Sequence, residues 1–229
     1  MGCLACDSST GPAGIVAHEQ VEVRTQYVSP ELIGAFVYEG ADPGSDPRWH
    51  ESGAVDVAEY QRWCWRSCGV ACLQMILQHR DGTSPALLPL LRGARERGAY
   101  VEEDDGSVTG MIYAPFVEYI AAEFGLTGQV HPRLPMDRLL DELRPAPAPD
   151  PWFGRMMIAS VHREIRRPEV PAPGQGGHLV LVTGHDPISG TITFNNPSGH
   201  TPESRTATLS VAVFKTFYAG RGVLVSLTG

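Results

Sequence analysis

The hydrophobic residues between positions 67 and 143 recur at the three- and four-residue spacings of amphipathic helices. The clearest run follows Ser67, a residue type favoured at helix N-termini, and is closed by Asp81-Gly82. This pattern predicts a helix that begins directly after Ser67. Further helices are predicted from Ser84-Pro85 to near Gly98, from Ala114 to Phe124 and from Met136 to Leu143.

Alternating and short apolar runs predict β-strands at the two ends of the chain. Residues 21–28 (VEVRTQYV) alternate as in a half-buried strand, and residues 31–38 fit a second strand or a short helix. After Gly154, strands are predicted at Met156–Val161, His178–Gly184, Thr191–Phe194 and Val223–Leu227. The turn DPISG between the second and third of these strands predicts a hairpin. Helices followed by a mostly antiparallel sheet are typical of an α+β domain, and we expect the segment RPAPAPDP to connect two halves that meet at a cleft.

Composition and charge narrow the classes of function. The chain has 229 residues, of which 42% are hydrophobic and 19% charged, enough for one sizeable core. Its formal net charge of -8 gives no reason to expect nucleic acid or an anionic membrane as a partner. The start MGCLACDSSTGP lacks the basic and apolar regions of a secretory signal, and no run approaches the ~18 apolar residues of a membrane helix. We therefore expect a cytoplasmic protein, with no cofactor and with its oligomeric state open.

Cys68 is the strongest candidate for chemistry. It falls in the first turn of the predicted helix, where free backbone N–H groups and the helix dipole stabilise a thiolate, the nucleophilic form of cysteine. Gly69 follows, and a glycine there allows a substrate backbone to come close. The competing interpretation is that Cys68 is a packed core cysteine.

The other cysteines suggest less. Cys64, Cys68 and Cys72 recur every fourth residue, but three thiols without paired CxxC motifs form weak zinc spacing, so no metal is predicted. Cys72 is expected in the core, and Cys64 has no assignment. Cys3 and Cys6 form a CxxC without the strand and helix that give such motifs meaning, and a frayed tail is the expectation there.

A glutamine and several tryptophans are candidates for an oxyanion hole and a substrate pocket around Cys68. Gln61 precedes the cysteine by about two helical turns, and its side-chain amide can join the Cys68 N–H in an oxyanion hole. Trp65, with Trp63 and Trp152, can supply an apolar wall to a substrate pocket, although tryptophans more often lie in cores.

His178 and Asn196 are the candidate base and its orienting partner. The sequence GQGGHLVLVTGHD places His178 at the start of an apolar strand, after a glycine-rich loop whose Gly177 is a candidate pocket residue. Asn196, in TFNNPSG, returns across the predicted hairpin, where its amide oxygen can accept the His178 ring N–H. The adjacent Asn195 remains an alternative, because a one-residue slip exchanges the two faces of a strand.

These motifs resemble those of the bacteriocin-processing (double-glycine leader) cysteine peptidases, of the papain superfamily. The segment SCGVACLQMIL resembles their nucleophile motif, and GGHLVLVTGHD followed by FNNP resembles their histidine strand and third catalytic position. The similarity covers about residues 57–229 and implies a papain-like domain there, with residues 1–56 as an N-terminal extension of unknown role. It implies Cys68 as nucleophile, His178 as base, Gln61 as oxyanion donor and Asn196 as the third member, where close relatives usually have Asp.

The sequence departs from that family at two places, and it leaves three functions open. Ser67 replaces a typical Asp, and Gln61 lies one residue farther from the cysteine than usual. The first hypothesis is hydrolysis of a peptide or amide bond through a thioester, on a dedicated substrate of a biosynthetic pathway. The second is acyl transfer to an amine at the same site, as in a ligase, cyclase or transpeptidase. The third is an inactive peptide-binding module.

Overall fold

The computed structural model describes residues 16–18, 21–143 and 155–227. The α-helices in these ranges are α1 (Val57–Trp63), α2 (Cys68–Asp81), α3 (Leu87–Glu96), α4 (Tyr113–Phe124), α5 (Met136–Glu142), α6 (Pro202–Arg205) and α7 (Val211–Phe217). Short 3-10 turns lie at Pro30–Leu32, Pro43–Ser45, Trp49–Ser52, Cys64–Arg66 and Arg163–Arg166, and a π-helical turn at Ala35–Glu39. Cys3, Cys6, the segment RPAPAPDP and Trp152, all singled out in the sequence, lie outside the described residues.

Seven strands of the described residues form one antiparallel sheet. They are β1 (Val16–Ala17), β2 (Thr127–His131), β3 (Arg155–His162), β4 (Gly177–Asp186), β5 (Thr191–Asn195), β6 (Thr206–Ser210) and β7 (Tyr218–Ser226). Their order is β2-β7-β3-β4-β5-β6, with β1 paired to the end of β4. The predicted hairpin is confirmed as β4 and β5, and the α+β class is confirmed by helices packed on an antiparallel sheet.

Both faces of the sheet are buried, which explains why its central strands are almost continuously apolar. Met156, Ile158, Leu179 and Leu181 join one hydrophobic cluster with helices α2, α3 and α4. The alternate residues of β3 and β4 join a second cluster with α5 and α7 on the opposite face. Because successive side chains of a strand point to opposite faces, each strand contributes to both clusters.

Most predicted helices are present with small shifts in their ends. Gly82 and Gly125 end α2 and α4 in the left-handed conformation, with φ of 71° and 62°. Glycine is favoured there because it has no Cβ to clash. Helix α3 begins at Leu87 rather than at Ser84-Pro85, and Ala86, its N-cap residue, is still extended.

The strand predicted at residues 21–28 is wrong. This segment forms no ladder, and its backbone bonds instead to loops and side chains. The Gln26 N–H donates to the Pro197 carbonyl at 2.9 Å, and the Val28 N–H donates to the Tyr60 hydroxyl at 3.0 Å. Alternating polarity reports that one side of a segment is buried, which an extended loop also satisfies.

Residues 29–56 contribute to the same core as the later helices. Ile33 and Phe36 are buried in the first cluster, and residues 31–38 form helical turns, the second of the two alternatives predicted for them. Asp46 is buried beneath them and accepts hydrogen bonds from the Ser29 hydroxyl at 2.6 Å and the Tyr60 hydroxyl at 3.0 Å. These bonds satisfy a carboxylate that would be costly to bury without partners.

Candidate active site

Cys68 is the first residue of α2, where the sequence predicted it. Its side chain is partly buried and packs against the hydrophobic cluster that includes Leu179 of β4. Burial raises the pKa of the Cys68 thiol, while the N–H groups of Leu179 and Gly69 and the charge of Arg66 oppose that rise. The thiol therefore lies against the strand that carries His178, because Leu179 is the next residue along it.

Contrary to the prediction, the Ser67 side chain does not cap α2. It makes no side-chain hydrogen bond to the helix, and its hydroxyl donates to the Cys64 carbonyl at 3.0 Å. The 3-10 turn Cys64–Arg66 leads directly into the helix, and this turn provides the carbonyl that Ser67 prefers. The first N–H groups of α2 are consequently free of a serine cap next to the thiol.

His178 and Asn196 are brought together as predicted. The His178 Nε2 lies 2.8 Å from the Asn196 Oδ1, and both side chains are buried. The Ser198 backbone N–H also donates to this oxygen, at 3.0 Å. A backbone N–H can only donate, so Oδ1 is the acceptor, and His178 Nε2 must carry the hydrogen. This tautomer leaves Nδ1 unprotonated and free to act as a base.

Ser198 and Arg166 extend this pair into a network that sequence reasoning missed. The Ser198 hydroxyl lies 3.0 Å from His178 Nε2 and donates to Asn196 Oδ1 at 3.2 Å. Arg166 Nε donates to the same hydroxyl at 3.0 Å. The motif NNPSG placed Ser198 near Asn196, but no sequence pattern connected Arg166, on a separate 3-10 turn, to the histidine.

The surroundings keep His178 neutral. Burial lowers the pKa of His178 to about 3, and the positive charge of Arg166 acts in the same direction against the hydrogen bond to Asn196. At neutral pH the ring is therefore an unprotonated base. Because burial raises the pKa of the Cys68 thiol, the resting form of Cys68 is the neutral thiol rather than the thiolate.

Asn195 and Asn196 point to different partners, which settles the alternative left open by the sequence. The Asn195 amide donates to the Val21 carbonyl at 2.9 Å, and its oxygen accepts from the Thr206 hydroxyl at 2.9 Å. Asn196 alone of the two contacts His178. Asn195 thus bonds to the N-terminal segment, whereas Asn196 bonds to the histidine.

A cavity of about 610 Å³ opens beside His178. Trp65 and Gly177, two of the predicted pocket residues, line it, and Trp65 is 45% exposed. Gly69 does not line it. It is buried, and a Cβ there would lie 2.4 Å from Met111 Sδ and 2.8 Å from the Tyr100 hydroxyl, so this glycine is required for packing of α2.

The predicted oxyanion donor, Gln61, lies elsewhere. Its side chain is exposed, and its Nε2 donates to Asp42 at 2.8 Å on the outer side of α1. Gln26 instead lines the cavity with His178, is buried, and donates from Nε2 to the Cys64 carbonyl at 2.8 Å. Gln26 comes from a segment predicted as a strand, so nothing in the sequence indicated its position.

Cys64 and Cys72 are free and buried. Burial raises the pKa of the Cys72 thiol well above its ordinary value, as expected for a core cysteine. Among the residues that the structure describes, no group of three or more His, Cys, Asp or Glu side chains could hold a metal ion. Cys68 is the cysteine of these three that is partly accessible.

Similarity to known proteins is found among solved structures. No protein-family model matches the sequence, and no curated protein matches it. Among solved structures, the chain is similar to the peptidase domain of Streptococcus ComA, a bi-functional ABC transporter involved in a quorum-sensing pathway. The match covers 70% of this chain and 91% of that one, with 16% sequence identity and a TM-score of 0.45. At this distance no residue role is transferred, and the roles proposed below come from contacts within this chain.

Within the described ranges, none of the helices combines the length and the apolar character required to cross a bilayer.

Proposed function

We propose that this protein is a cysteine-nucleophile enzyme that cleaves a peptide or amide bond through a thioester intermediate. The observation that carries the proposal is the His178–Asn196 hydrogen bond, which fixes the histidine tautomer on β4, the strand whose Leu179 belongs to the cluster against which Cys68 packs. Cys68 is then the nucleophile, His178 the base and Asn196 the residue that orients the base.

The proposed reaction begins with proton transfer from the Cys68 thiol to His178 Nδ1. The sulfur attacks the substrate carbonyl carbon, and a carbon–sulfur bond forms as the carbonyl oxygen becomes an oxyanion. When this intermediate collapses, the carbon–nitrogen bond breaks and the imidazolium gives its proton to the leaving amine. Water then attacks the thioester with His178 as base. The carbon–sulfur bond breaks, the carboxylic acid is released and the Cys68 thiol is regenerated.

The oxyanion requires donors near Cys68. The backbone N–H of Cys68, at the free end of α2, is one candidate, and a side-chain amide is the second. Gln61 is exposed and bonded to Asp42 outside the cavity, whereas Gln26 lines the cavity with His178 and keeps a second Nε2 hydrogen beside the one donated to the Cys64 carbonyl. We therefore propose Gln26 ahead of Gln61 for this role.

Hydrolysis and acyl transfer use the same thioester, and the acceptor distinguishes them. The cavity is open to solvent through exposed residues such as Trp65 and Arg66, and this favours water as the acceptor. A dedicated peptide substrate, cleaved in a biosynthetic pathway, is part of the proposal. Product masses measured with and without an added amine separate hydrolysis from transfer.

Site-resolved alkylation tests the nucleophile directly. We expect iodoacetamide to modify Cys68 faster than the buried Cys64 and Cys72, as quantified by intact mass and digestion. Because burial raises the pKa of Cys68 and His178 stays neutral, little thiolate is expected at acidic pH. The rate of alkylation should therefore be low at about pH 5 and rise as the pH increases.

The matching activity test uses peptidyl ketones that trap cysteine nucleophiles. They should add to the parent protein and not to Cys68→Ala, while circular dichroism and thermal melting show both proteins folded. Alkylation at Cys68 without trapping by any acyl-like probe would favour the inactive binding module. Trapping that persists in Cys68→Ala would place the nucleophile elsewhere.

A further inference from the structure

The cavity beside His178 carries positive charge in a protein that is acidic overall. Four arginines line it together with one carboxylate, against a formal net charge of -8 for the whole chain. They are Arg62, Arg66, Arg163 and Arg166, and the carboxylate belongs to Glu164. A cavity with this lining concentrates anions relative to the rest of the surface.

Partners outside the cavity neutralise two of these five charges. Glu164 is paired with Arg167 at 2.5 Å, and Arg62 is paired with Glu102. Arg66, Arg163 and Arg166 form no ion pair within 4 Å of a carboxylate of the described residues, and Glu164 feels Arg166 and Arg163 only at longer range than its partner Arg167. The loop that contributes Gly106 and Ser107 also carries Asp105, but this carboxylate accepts from the Ser107 N–H and does not line the cavity.

Arg166 is the most informative of the three arginines. It is 8% exposed, yet its Nε donates to a neutral hydroxyl, that of Ser198, and its guanidinium lies near the Tyr38 ring rather than against a carboxylate. Burying a guanidinium without an opposite charge is costly, and such groups are normally paired. Its position next to His178 puts this unpaired charge where the substrate would bind.

We propose that this cavity binds a carboxylate of the substrate, so that the protein acts on acidic peptides. This inference rests on the function proposed above and specifies its substrate class. Arg166 binds the carboxylate in the interior, and Arg66 and Arg163, which are both exposed, attract it at the rim. The planar guanidinium fork matches a carboxylate in two-point hydrogen bonding.

Matched probes test this charge preference on the full chain. Two peptidyl acyloxymethyl ketones differ only by Glu or Gln next to the ketone, and a second pair differs by a carboxylate or carboxamide on the acyloxy leaving group. The first pair asks whether the acidic group lies on the acyl side of the scissile bond, and the second asks whether it lies on the leaving side. Second-order rates of adduct formation at Cys68 are measured by intact mass spectrometry.

We expect the carboxylate probe of one pair to react ~10-fold faster than its neutral twin, as one charge-assisted hydrogen bond implies. The preference should shrink between about 0.05 and 0.5 M NaCl, since salt screens exposed charges. It should fall towards unity in the Arg66→Gln/Arg163→Gln double variant and stay unchanged in Arg133→Gln, an exposed arginine outside the cavity. Arg166→Gln should abolish it, and the rim variants keep the test valid if that variant fails to fold.

The failure of this inference is distinguishable from the failure of the proposed function. Equal rates within both pairs, with every probe attached to Cys68, would overturn the acidic substrate and leave the cysteine enzyme intact. Absence of any adduct at Cys68 with all four probes would overturn both. A preference for the neutral probes would also overturn the acidic substrate.

Discussion

The two sides of the site differ in how firmly their residues are held. On the sheet side, His178 is buried within a network of hydrogen bonds that includes Asn196, Ser198 and Arg166. On the helix side, Cys68 is partly accessible, and the glutamine expected to assist it is bonded to Asp42 at the surface. The proposed base is thus held in place by neighbouring side chains, while the proposed nucleophile depends on groups from other segments.

This difference indicates where the substrate must contribute. In the proposed mechanism His178 is already neutral and held by Asn196, so little reorganisation is needed before it accepts a proton. The thiol, whose pKa burial raises, gains its charge only as the proton leaves for His178. Binding of the substrate carbonyl next to the N-terminus of α2 would then stabilise the developing negative charge.

The largest expected effect comes from removing the preorganised side. His178→Ala should lower turnover on the order of 10⁴-fold, because the thiol loses its proton acceptor and the leaving amine its donor. His50→Ala, which changes an exposed histidine away from the cavity, is the matched control. Turnover is followed by mass spectrometry of a cleaved acidic peptide. Full activity in His178→Ala would refute the proposed base.

The second-largest effect concerns the oxyanion donor on the Cys68 side of the site, for which two glutamines are compared. Gln26→Ala should reduce kcat about 10²-fold, the loss typical of an oxyanion donor, whereas Gln61→Ala should change it less than about twofold. Thermal melts of both variants separate catalytic loss from instability, since Gln26 also donates to the Cys64 carbonyl. The reverse order of effects would restore Gln61 as the donor.

A smaller effect is expected at the residue that orients the base. Asn196→Ala should cost about 10- to 100-fold in kcat, with substrate affinity little changed, because it releases the histidine without removing it. Asn196→Asp should recover activity relative to Asn196→Ala. It should also move the acidic limb of the pH profile to higher pH, since a nearby negative charge raises the pKa of His178. Asn195→Ala is the control, and it should affect stability rather than the pH profile. An unshifted limb in Asn196→Asp would argue against this contact.

Local sequence signals predicted the parts of the site that local structure determines. The first turn of α2 and the β4–β5 hairpin follow from helical spacing, a glycine stop and a turn motif, and they position Cys68, His178 and Asn196. The choice between Asn195 and Asn196 depended on strand register, which a one-residue slip would reverse.

The other residues of the site could not be predicted, because their positions depend on contacts between segments distant in sequence. Gln61 was placed by spacing from Cys68, but spacing does not show which way a side chain on α1 points, and Asp42 was an unforeseen partner. Arg166 and Gln26 reach the site from a 3-10 turn and an extended loop, neither of which has a periodic pattern. Long-range polar contacts of this kind are specified by the whole fold.

Gln26 also links the two halves of the molecule. Its backbone N–H bonds to Pro197, next to the orienting asparagine, and its side chain bonds to Cys64, in the turn that leads into α2. A single residue ahead of both halves therefore bonds to the segments that carry the proposed nucleophile and the residue that contacts the proposed base. Replacing the extended loop that carries Gln26 with one of different length would change the position of the Cys68 sulfur relative to the His178 imidazole. Neither of these two side chains would itself be altered.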